Sequence, residues 1–222
     1  MRMRKKKRLS ERFEACSNLL IEINIESFNL NDKIDIGRFD CQSIFGNNNP
    51  VHLEIGCGKG QFVIEMAKRY PNINFIAVEK TKNVIVTALE NALEQNVQNV
   101  RFINCGAEYL EGYFDEKVIE RIYLNFSCPY PKKKYTKHRL THENFLKLYK
   151  KVLVRHGEIH LKTDNTGFFE YTINSLSDFG FTLKNITFNL HNSDFEGNIA
   201  TEYEQRFSDM GCPIYRLEAY FK

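Results

Sequence analysis

The sequence predicts an α/β fold in which a mostly parallel β-sheet carries helices on both faces. From Val51 onward, short apolar segments typical of strands alternate with segments whose apolar residues repeat at helical spacing. This repeated β-then-α order is typical of parallel sheets. Glycines at positions 56, 58 and 60 close the first strand, as a sharp turn requires. The length of 222 residues suits one domain of this kind.

The strands of the first half are short and apolar, and helices separate them. Residues 51–55 are the first predicted strand, and Pro71 ends the helix that follows. Residues 75–78 form an apolar strand of the kind that is covered on both faces. Thr81 is the predicted N-cap of the next helix. A third strand follows at residues 100–103.

The second half continues this alternation and ends in two strands. The predicted elements are a strand at 121–126, a helix from about Thr141, a strand at 157–162, a helix at 168–179, and strands at 181–190 and 214–221. Because only a loop region separates the last two strands, we expect them to pair antiparallel. Residues 1–49 lack strong periodicity and are predicted to be a basic extension, partly ordered at best, to one domain spanning residues 50–222.

Composition excludes several classes of protein. No apolar run approaches the roughly 20 residues of a membrane-spanning helix, and no apolar region follows the basic N-terminus as in a signal peptide. None of the six cysteines forms a C-x-x-C pair, and no histidine spacing completes a zinc site. We therefore expect a cytoplasmic protein with reduced thiols, no membrane partner and no metal.

Basic residues are concentrated in two segments of a chain whose net charge is only +3. The first comprises the basic residues between Arg2 and Arg8, and the second comprises Lys132, Lys133, Lys134, Lys137 and Arg139. Focused basic patches on a near-neutral body favour a polyanionic partner such as nucleic acid. A solvated tail and a solvated loop are the structural alternative.

The glycine loop predicts a nucleotide-like methyl donor. Its spacing is G-x-G-x-G, which differs from the G-x-G-x-x-G of dinucleotide-binding enzymes. Glu54, at the start of the loop, can interact with the cationic amino-acid end of S-adenosylmethionine. Glu79 ends the second strand, where an acid can accept hydrogen bonds from both ribose hydroxyls. We therefore predict S-adenosylmethionine as the cofactor; a nicotinamide dinucleotide is the alternative cofactor, and a plain glycine turn beside two surface acids is the structural alternative.

A second set of residues follows the later strands and is suited to bind RNA. Residues 127–134 contain two prolines, three lysines for phosphates, and Tyr130, on which a base can stack. Asp164 lies in the sequence Lys-Thr-Asp-Asn at the end of a later strand, and residues 201–204 read Thr-Glu-Tyr-Glu. The structural alternatives are helix capping by residues 164–165 and a helix start with surface acids at 201–204.

Together these segments resemble the bacterial tRNA (guanine-N7-)-methyltransferases. The resemblance runs from about Val51 to Tyr220, and the basic start of the chain also fits it. It implies a three-layer αβα, Rossmann-like, seven-stranded methyltransferase sheet, mostly parallel with an antiparallel late strand. It also implies methyl transfer from S-adenosylmethionine, with S-adenosylhomocysteine as the product, to N7 of a guanosine in the variable loop of tRNA, by a monomer or a homodimer. The matching segments are residues 54–60, 124–127, 131–133, 139–141, 162–165, 201–204 and 213–215.

The resemblance implies roles for individual residues. Those that would bind the cofactor are Glu54, Gly56, Gly58, Glu79, Gly106 and Cys128. Those that would bind the target nucleotide or its surroundings are Lys132, Asp164, Thr201, Glu202, Tyr203 and Glu204. The catalytic positions are those of Cys128 and Asp164.

Two positions depart from the family pattern. The family usually has Asp-Pro-Trp-Pro-Lys where this chain has Cys-Pro-Tyr-Pro-Lys from Cys128 to Lys132, and the replaced aspartate is the residue usually assigned the catalytic role. The family also usually has an acid at the position of Gly106, before Ala107. Because N7 of guanine carries an exposed lone pair, no proton has to be removed before attack. We therefore expect the enzyme to be active, with Cys128 lining the pocket rather than acting as a nucleophile.

Three alternatives remain open. The first is a tRNA-binding protein of the same fold that has lost catalysis. The second is a methyltransferase that acts on another RNA or on a small molecule. The third is a metal or redox centre, since Cys57, Cys105 and Cys128 all follow predicted strands at the same edge of the sheet.

Overall fold

The computed structural model describes residues 7–23 and 38–222, and the chain divides into two compact units, Met1–Asp115 and Glu116–Lys222. Within the described residues, seven strands belong to one mixed, mostly parallel sheet, in which the last strand of the chain runs antiparallel to its neighbours. The predicted α/β class, the seven-stranded sheet and the antiparallel late strand are therefore confirmed. In the same described ranges, no helix has the length and apolar character needed to cross a membrane.

The described residues of the first unit form three parallel strands, β1 (Val51–Ile55), β2 (Asn74–Val78) and β3 (Val100–Ile103), in the order β3-β2-β1. All residues of β1 are buried, as expected for a strand that is covered on both faces. Ile55 lies opposite Val78, and Val78 lies opposite Ile103, so the three carboxyl ends meet at one edge. The helices described in this unit are α1 (Leu9–Glu14), α2 (Cys41–Phe45), α3 (Gln61–Arg69), α4 (Lys82–Glu94) and α5 (Leu110–Tyr113), with short 3-10 helices at Ser17–Leu19 and Ala107–Tyr109.

The residues before position 50 contribute more structure than their weak periodicity predicts. The Arg12 guanidinium holds α1 on α4 through two hydrogen bonds to the Glu90 carboxylate, each 2.5 Å long. Ile21 N donates to the backbone oxygen of Phe102 in β3 at 2.9 Å. These described residues pack within the first unit, and a domain boundary at residue 50 stays a prediction. The part of the predicted basic tail before residue 7 lies outside the described residues.

The second unit contains four strands in the order β4 (Ile119–Asn125), β5 (Leu153–Thr163), β7 (Tyr215–Phe221) and β6 (Phe181–Thr187). β4 and β5 are parallel, whereas β7 is antiparallel to both β5 and β6. Two predicted boundaries were wrong, since β5 begins well before residue 157 and β6 ends before residue 190. The helices of this unit are α6 (Glu143–Val152), α7 (Thr166–Phe179) and α8 (Glu202–Asp209), with short 3-10 helices at Lys133–His138 and Leu190–Asn192.

Two helix starts differ from the prediction, that of α4 in its cap and that of α6 in its position. Thr81 occupies the N-cap position of α4, but its side chain makes no capping hydrogen bond. Instead, the Glu79 carboxylate accepts a hydrogen bond from Thr81 N at 2.7 Å. α6 begins at Glu143 rather than near Thr141, because the His142 side chain provides the cap. Both helices therefore start where a neighbouring side chain accepts a backbone hydrogen bond.

Candidate functional site

The glycine loop lies between β1 and α3, and its three glycines have left-handed backbone conformations. The φ angles are 83° at Gly56, 58° at Gly58 and 82° at Gly60, values that L side chains rarely adopt. The backbone N–H groups of Gly56 and Cys57 both donate to Val78 O, at 2.7 and 3.1 Å. The loop is therefore held at the end of β2.

The three glycines have different surroundings: Gly60 packs against a neighbouring helix, whereas Gly56 and Gly58 face open space. A Cβ at Gly60 would lie 2.8 Å from Ala88 Cβ, so this glycine allows α3 to approach α4 closely. A Cβ at Gly56 or Gly58 would meet nothing within 4 Å. Open space beside a backbone turn at the carboxyl end of β1 is where such sheets bind ligands. The residues present therefore fit a ligand such as S-adenosylmethionine.

Glu54 and Glu79, the two predicted cofactor acids, lie near the ends of β1 and β2. Glu54 is only 2% exposed, and Glu79 is half-buried. Burial raises the pKa of the Cys57 thiol well above its ordinary value, and the charges of Glu54 and Glu79 act in the same direction. The structure therefore brings both acids into the neighbourhood of Cys57. A thiol that stays protonated is a poor nucleophile and a poor metal ligand.

Gly106, the position where the family usually has an acid, follows β3 and is buried. Its φ of −87° needs no glycine. A Cβ added there would collide with the Glu108 carboxylate, whose Cδ is 2.5 Å away. The space that a side chain at position 106 would fill therefore holds the carboxylate of Glu108, a residue that the sequence did not single out. Burial, and then the charge of Glu108, raise the pKa of the adjacent Cys105 thiol to about 12.

In the second unit, the loop after β4 carries Cys128, which is exposed. Phe126 and Tyr130 in this loop have φ angles of 51° and 42°, which are unusual for bulky side chains. The Arg139 guanidinium fixes the loop by donating to Pro129 O at 3.0 Å and to Tyr130 O at 3.1 Å. Arg139, which the sequence assigned to a phosphate-binding cluster, therefore makes intramolecular contacts that hold the Cys128 loop.

The segment that follows presents aromatic rings among exposed lysines, Lys132 among them. The His138 ring lies 5.6 Å from that of Tyr130 and 6.1 Å from that of Tyr135. Residues 127–142 contain no acidic side chain. The segment therefore combines positive charge with ring faces, which is how proteins bind unpaired nucleotides.

Asp164 follows β5 and is half-buried. The N-cap of α7 is Asn165, whose Oδ1 accepts a hydrogen bond from Phe168 N at 2.8 Å. The Asp164 side chain is therefore not the cap of this helix. Burial, and then the charge of Asp164, raise the pKa of the Tyr203 phenol, and Cys128 acts in the same direction. Asp164, Cys128 and Tyr203 therefore share one neighbourhood within the second unit.

The Thr-Glu-Tyr-Glu segment begins α8, and its side chains are used in different ways. Thr201 is the N-cap, with Oγ1 accepting a hydrogen bond from Glu204 N at 3.0 Å. Glu202 and Tyr203 are exposed. Glu204 is fully buried and accepts a hydrogen bond from Lys162 Nζ at 2.6 Å. Contact with a nucleotide stays a prediction for this segment, and its exposed members are Glu202 and Tyr203.

Lys162, near the end of β5, connects three segments, and sequence reasoning gave it no role. Its ammonium donates to Glu204, to Ile199 O at 2.9 Å and to Asn198 Oδ1 at 3.2 Å. Its backbone oxygen accepts a hydrogen bond from Phe126 N at 2.8 Å. A lysine in an apolar strand is itself a sequence signal, because a buried ammonium needs a partner. The sequence does not say which acid that partner is.

A cluster that the sequence did not predict lies on β5 and β7. Ligand atoms of Glu158, His160 and Glu218 lie within 4.8 Å of one another. Glu158 is paired with Arg121 at 2.9 Å, and Lys184 is paired with both Glu158 and Glu218. Carboxylates that are neutralised in this way form an ion-pair network and are poor ligands for a metal ion.

Comparison with known sequences identifies similar proteins. The model of a family described as putative methyltransferases matches residues 48–217. A tRNA (guanine-N(7)-)-methyltransferase of Geobacillus sp. (strain WCH70) is 54% identical over 175 residues, which are 79% of this chain and 80% of that protein. The protein of the same name from Listeria welshimeri is 52% identical over 180 residues, 81% of this chain and 84% of its own.

Comparison with solved structures identifies the same type of fold. The 16S rRNA methyltransferase KamB has a TM-score of 0.61 and 12% identity, over 84% of this chain and 96% of its own. An antibiotic-related methyltransferase has a TM-score of 0.59 and 16% identity, over 90% of this chain and 98% of its own. At such low identity the likeness concerns the fold and not the substrate.

Proposed function

The chain belongs to the tRNA (guanine-N(7)-)-methyltransferase family, and from this premise we propose that it transfers the methyl group of S-adenosylmethionine to N7 of a guanosine in the variable loop of tRNA. The observation that carries the proposal is that the chain has one set of residues suited to bind S-adenosylmethionine and another suited to bind RNA. One is the open glycine turn beside Glu54 and Glu79. The other is the acid-free basic segment 127–142 with its aromatic rings. A tRNA substrate also supports the predicted cytoplasmic location.

In the first unit, the proposed cofactor residues bind without taking part in proton transfer. S-adenosylmethionine, when bound, supplies a methyl group on a positively charged sulfur, and S-adenosylhomocysteine is the product. Glu54 is suited to the cationic amino-acid end, and Glu79 is suited to the ribose hydroxyls. Gly56 and Gly58 allow the ligand to approach the backbone, because neither carries a side chain into the open space.

In the second unit, the proposed catalytic residues act by electrostatics and orientation. N7 of guanine attacks with its own lone pair, the N7–C bond forms as the S–C bond breaks in line, and the base gains a positive charge. The half-buried Asp164 carboxylate, which shares a neighbourhood with Tyr203, is suited to stabilise that charge. Cys128 lines the same neighbourhood and forms no covalent bond. Most of the rate enhancement then comes from holding the guanine in position.

The test is methyl transfer from labelled S-adenosylmethionine to an unmodified tRNA transcript, followed by identification of the modified nucleoside. We expect N7-methylguanosine, and we expect no label when the variable-loop guanosine of the transcript is replaced by adenosine. Label on another base or in another RNA supports a different substrate. Tight tRNA binding without any transfer supports the binding-protein alternative.

A further inference from the structure

Glu108 places a third carboxylate at the edge of the sheet where Glu54 and Glu79 lie. β1, β2 and β3 are adjacent and parallel, so their carboxyl ends are aligned. Glu108 belongs to the 3-10 helix that follows β3, and it is exposed. Its carboxylate folds back over Gly106 and occupies the space of a side chain at that position. The three strand ends therefore carry one carboxylate each.

The order of the strands matches the order of groups along the proposed ligand. Neighbouring strands are about 4.8 Å apart, so the ends of β1 and β3 are roughly 10 Å apart. With the amino-acid end of S-adenosylmethionine at Glu54 and its ribose at Glu79, the adenine extends towards β3. The exocyclic amine of adenine is a hydrogen-bond donor, and an ionised carboxylate is purely an acceptor. Glu108 is thus the acid whose place in the sheet corresponds to the adenine.

We propose that Glu108 accepts a hydrogen bond from the adenine amine of S-adenosylmethionine and thereby replaces the acid that is missing at Gly106. A side chain at position 106 would displace the Glu108 carboxylate from its present position, because an added Cβ would overlap Glu108 Cδ at 2.5 Å. The φ of −87° at Gly106 would accept an aspartate once Glu108 is shortened. The inference rests on the proposed use of S-adenosylmethionine and is independent of the tRNA substrate.

The test compares two ligands by isothermal titration calorimetry on the full chain. S-adenosylhomocysteine carries the adenine amine, and S-inosylhomocysteine has an oxygen in its place. In Glu108→Ala, we expect the Kd for S-adenosylhomocysteine to rise about tenfold or more, because a charge-assisted hydrogen bond is lost. The Kd for S-inosylhomocysteine should stay unchanged or fall, since its oxygen is an acceptor that cannot form a hydrogen bond with the carboxylate. Glu94→Ala, an exposed acid at the end of α4, is the matched control.

A rescue variant keeps the proposal testable if the single substitution also affects folding. Gly106→Asp combined with Glu108→Ala should restore the preference for the adenosyl ligand. An unchanged Kd for S-adenosylhomocysteine in Glu108→Ala would overturn the proposal, and so would an equal loss for both ligands or a double variant without the preference. Because the readout is ligand binding, a failure of tRNA methylation would leave this result standing.

Discussion

Lys162 and Glu204 form a buried ion pair in the second unit, with Lys162 Nζ 2.6 Å from Glu204 Oε2 and side chains only 7% and 0% exposed. The other Glu204 oxygen accepts a hydrogen bond from Asn198 Nδ2 at 2.6 Å. The sequence Thr-x-x-Glu is that of a capping box, in which the acid turns back to the N-cap backbone. Here the Thr201 hydroxyl caps α8, but the Glu204 carboxylate is directed to Lys162. The pair therefore ties the start of α8, which carries Tyr203, to the end of β5.

Replacing Lys162 by Met should loosen the start of α8 and impair use of the tRNA. Loss of the ammonium would leave the buried Glu204 carboxylate with only Asn198 Nδ2 at 2.6 Å and His191 Nε2 at 3.2 Å, both at its other oxygen. This should cost about 3–5 kcal/mol of folding stability. Displacement of the segment should lower kcat/KM for tRNA roughly 10- to 100-fold, with the Kd for S-adenosylhomocysteine nearly unchanged. Thermal unfolding, steady-state kinetics and calorimetry provide these three measurements.

The double variant Lys162→Met/Glu204→Leu separates stability from positioning. Because it leaves no buried charge unpaired, we expect most of the lost stability to return. The kinetic defect should persist, because the apolar pair makes no hydrogen bonds to Asn198 and Ile199. Full recovery of kcat/KM in the double variant would show that the pair has no positioning role.

Cys128 should be dispensable for methyl transfer. Cys128→Ala should retain activity within about tenfold of the wild type, since orientation and electrostatics carry most of the catalysis. Cys128→Asp should be as active or more active, because a carboxylate near Asp164 and Tyr203 can stabilise the methylated base. Single-turnover transfer to tRNA is the measurement. Activity in Cys128→Asp together with an inactive wild type would contradict the proposal that this chain is a working enzyme.

Lys132→Ala should weaken tRNA binding by removing one phosphate contact. The slope of the logarithm of the tRNA association constant against log salt concentration should become smaller in magnitude by about one unit. Methyl transfer to tRNA should decrease, while cofactor binding is retained. Lys147→Ala provides a control, because Lys147 is an exposed lysine of α6 that pairs with Glu143 at 3.5 Å. Filter binding over a range of salt concentrations compares the two variants. Equal slopes for both would argue against a phosphate contact at Lys132.

Arg139→Lys should destabilise the Cys128 loop although the charge is kept. A lysine cannot reproduce the planar, two-pronged contact with Pro129 O and Tyr130 O, or the stacking of the guanidinium 4.3 Å from the Tyr171 ring. We expect the folding stability to fall by about 1–3 kcal/mol, or the Tm by roughly 2–10 °C. Methyl transfer to tRNA should also be slower. Lys137→Arg, in the same segment, serves as the control. A pure phosphate-binding role for Arg139 predicts instead an unchanged Tm.

Acidification between pH 7 and pH 5 should destabilise the protein through His160. Burial lowers the pKa of His160, and this effect outweighs the hydrogen bond that its imidazole donates to Glu158, which favours the charged form. The unfolded chain therefore binds a proton on this histidine at a higher pH than the folded chain does, so stability falls as the pH drops below about 6.5. The pKa of Glu158 is lowered, chiefly by its hydrogen bond with His160. Glu158 therefore stays ionised in this pH range, and its contribution to folding stability is lost only at lower pH.

The measurement is the slope of Tm against pH over that range. His160→Gln cannot take up the proton and should flatten the slope, while the exposed His156→Gln should leave it as in the wild type. A slope that is unchanged in His160→Gln would mean that other groups dominate the acid sensitivity.

Sequence alone determined the fold class and the place of the cofactor loop, because both depend on local properties. Strand and helix periodicity is visible in consecutive residues, and the backbone conformations at Gly56, Gly58 and Gly60 favour glycine itself. The start of β5 and the end of β6 were less well predicted, since they depend on pairing with β4 and with β7, respectively. The predicted site residues were found by their spacing, which does not reveal the direction of a side chain.

Only the tertiary structure decided which of those side chains face a ligand and which hold the site together. Glu202 and Glu204 are equivalent acids in the sequence, but one is exposed and the other is buried against a lysine 42 positions away. Likewise, the glycine at position 106 indicates a missing acid, and only the fold places the Glu108 carboxylate in the space beside it. The physical reason is that burial and ion pairing depend on contacts between segments distant in the chain, which spacing within one segment does not specify.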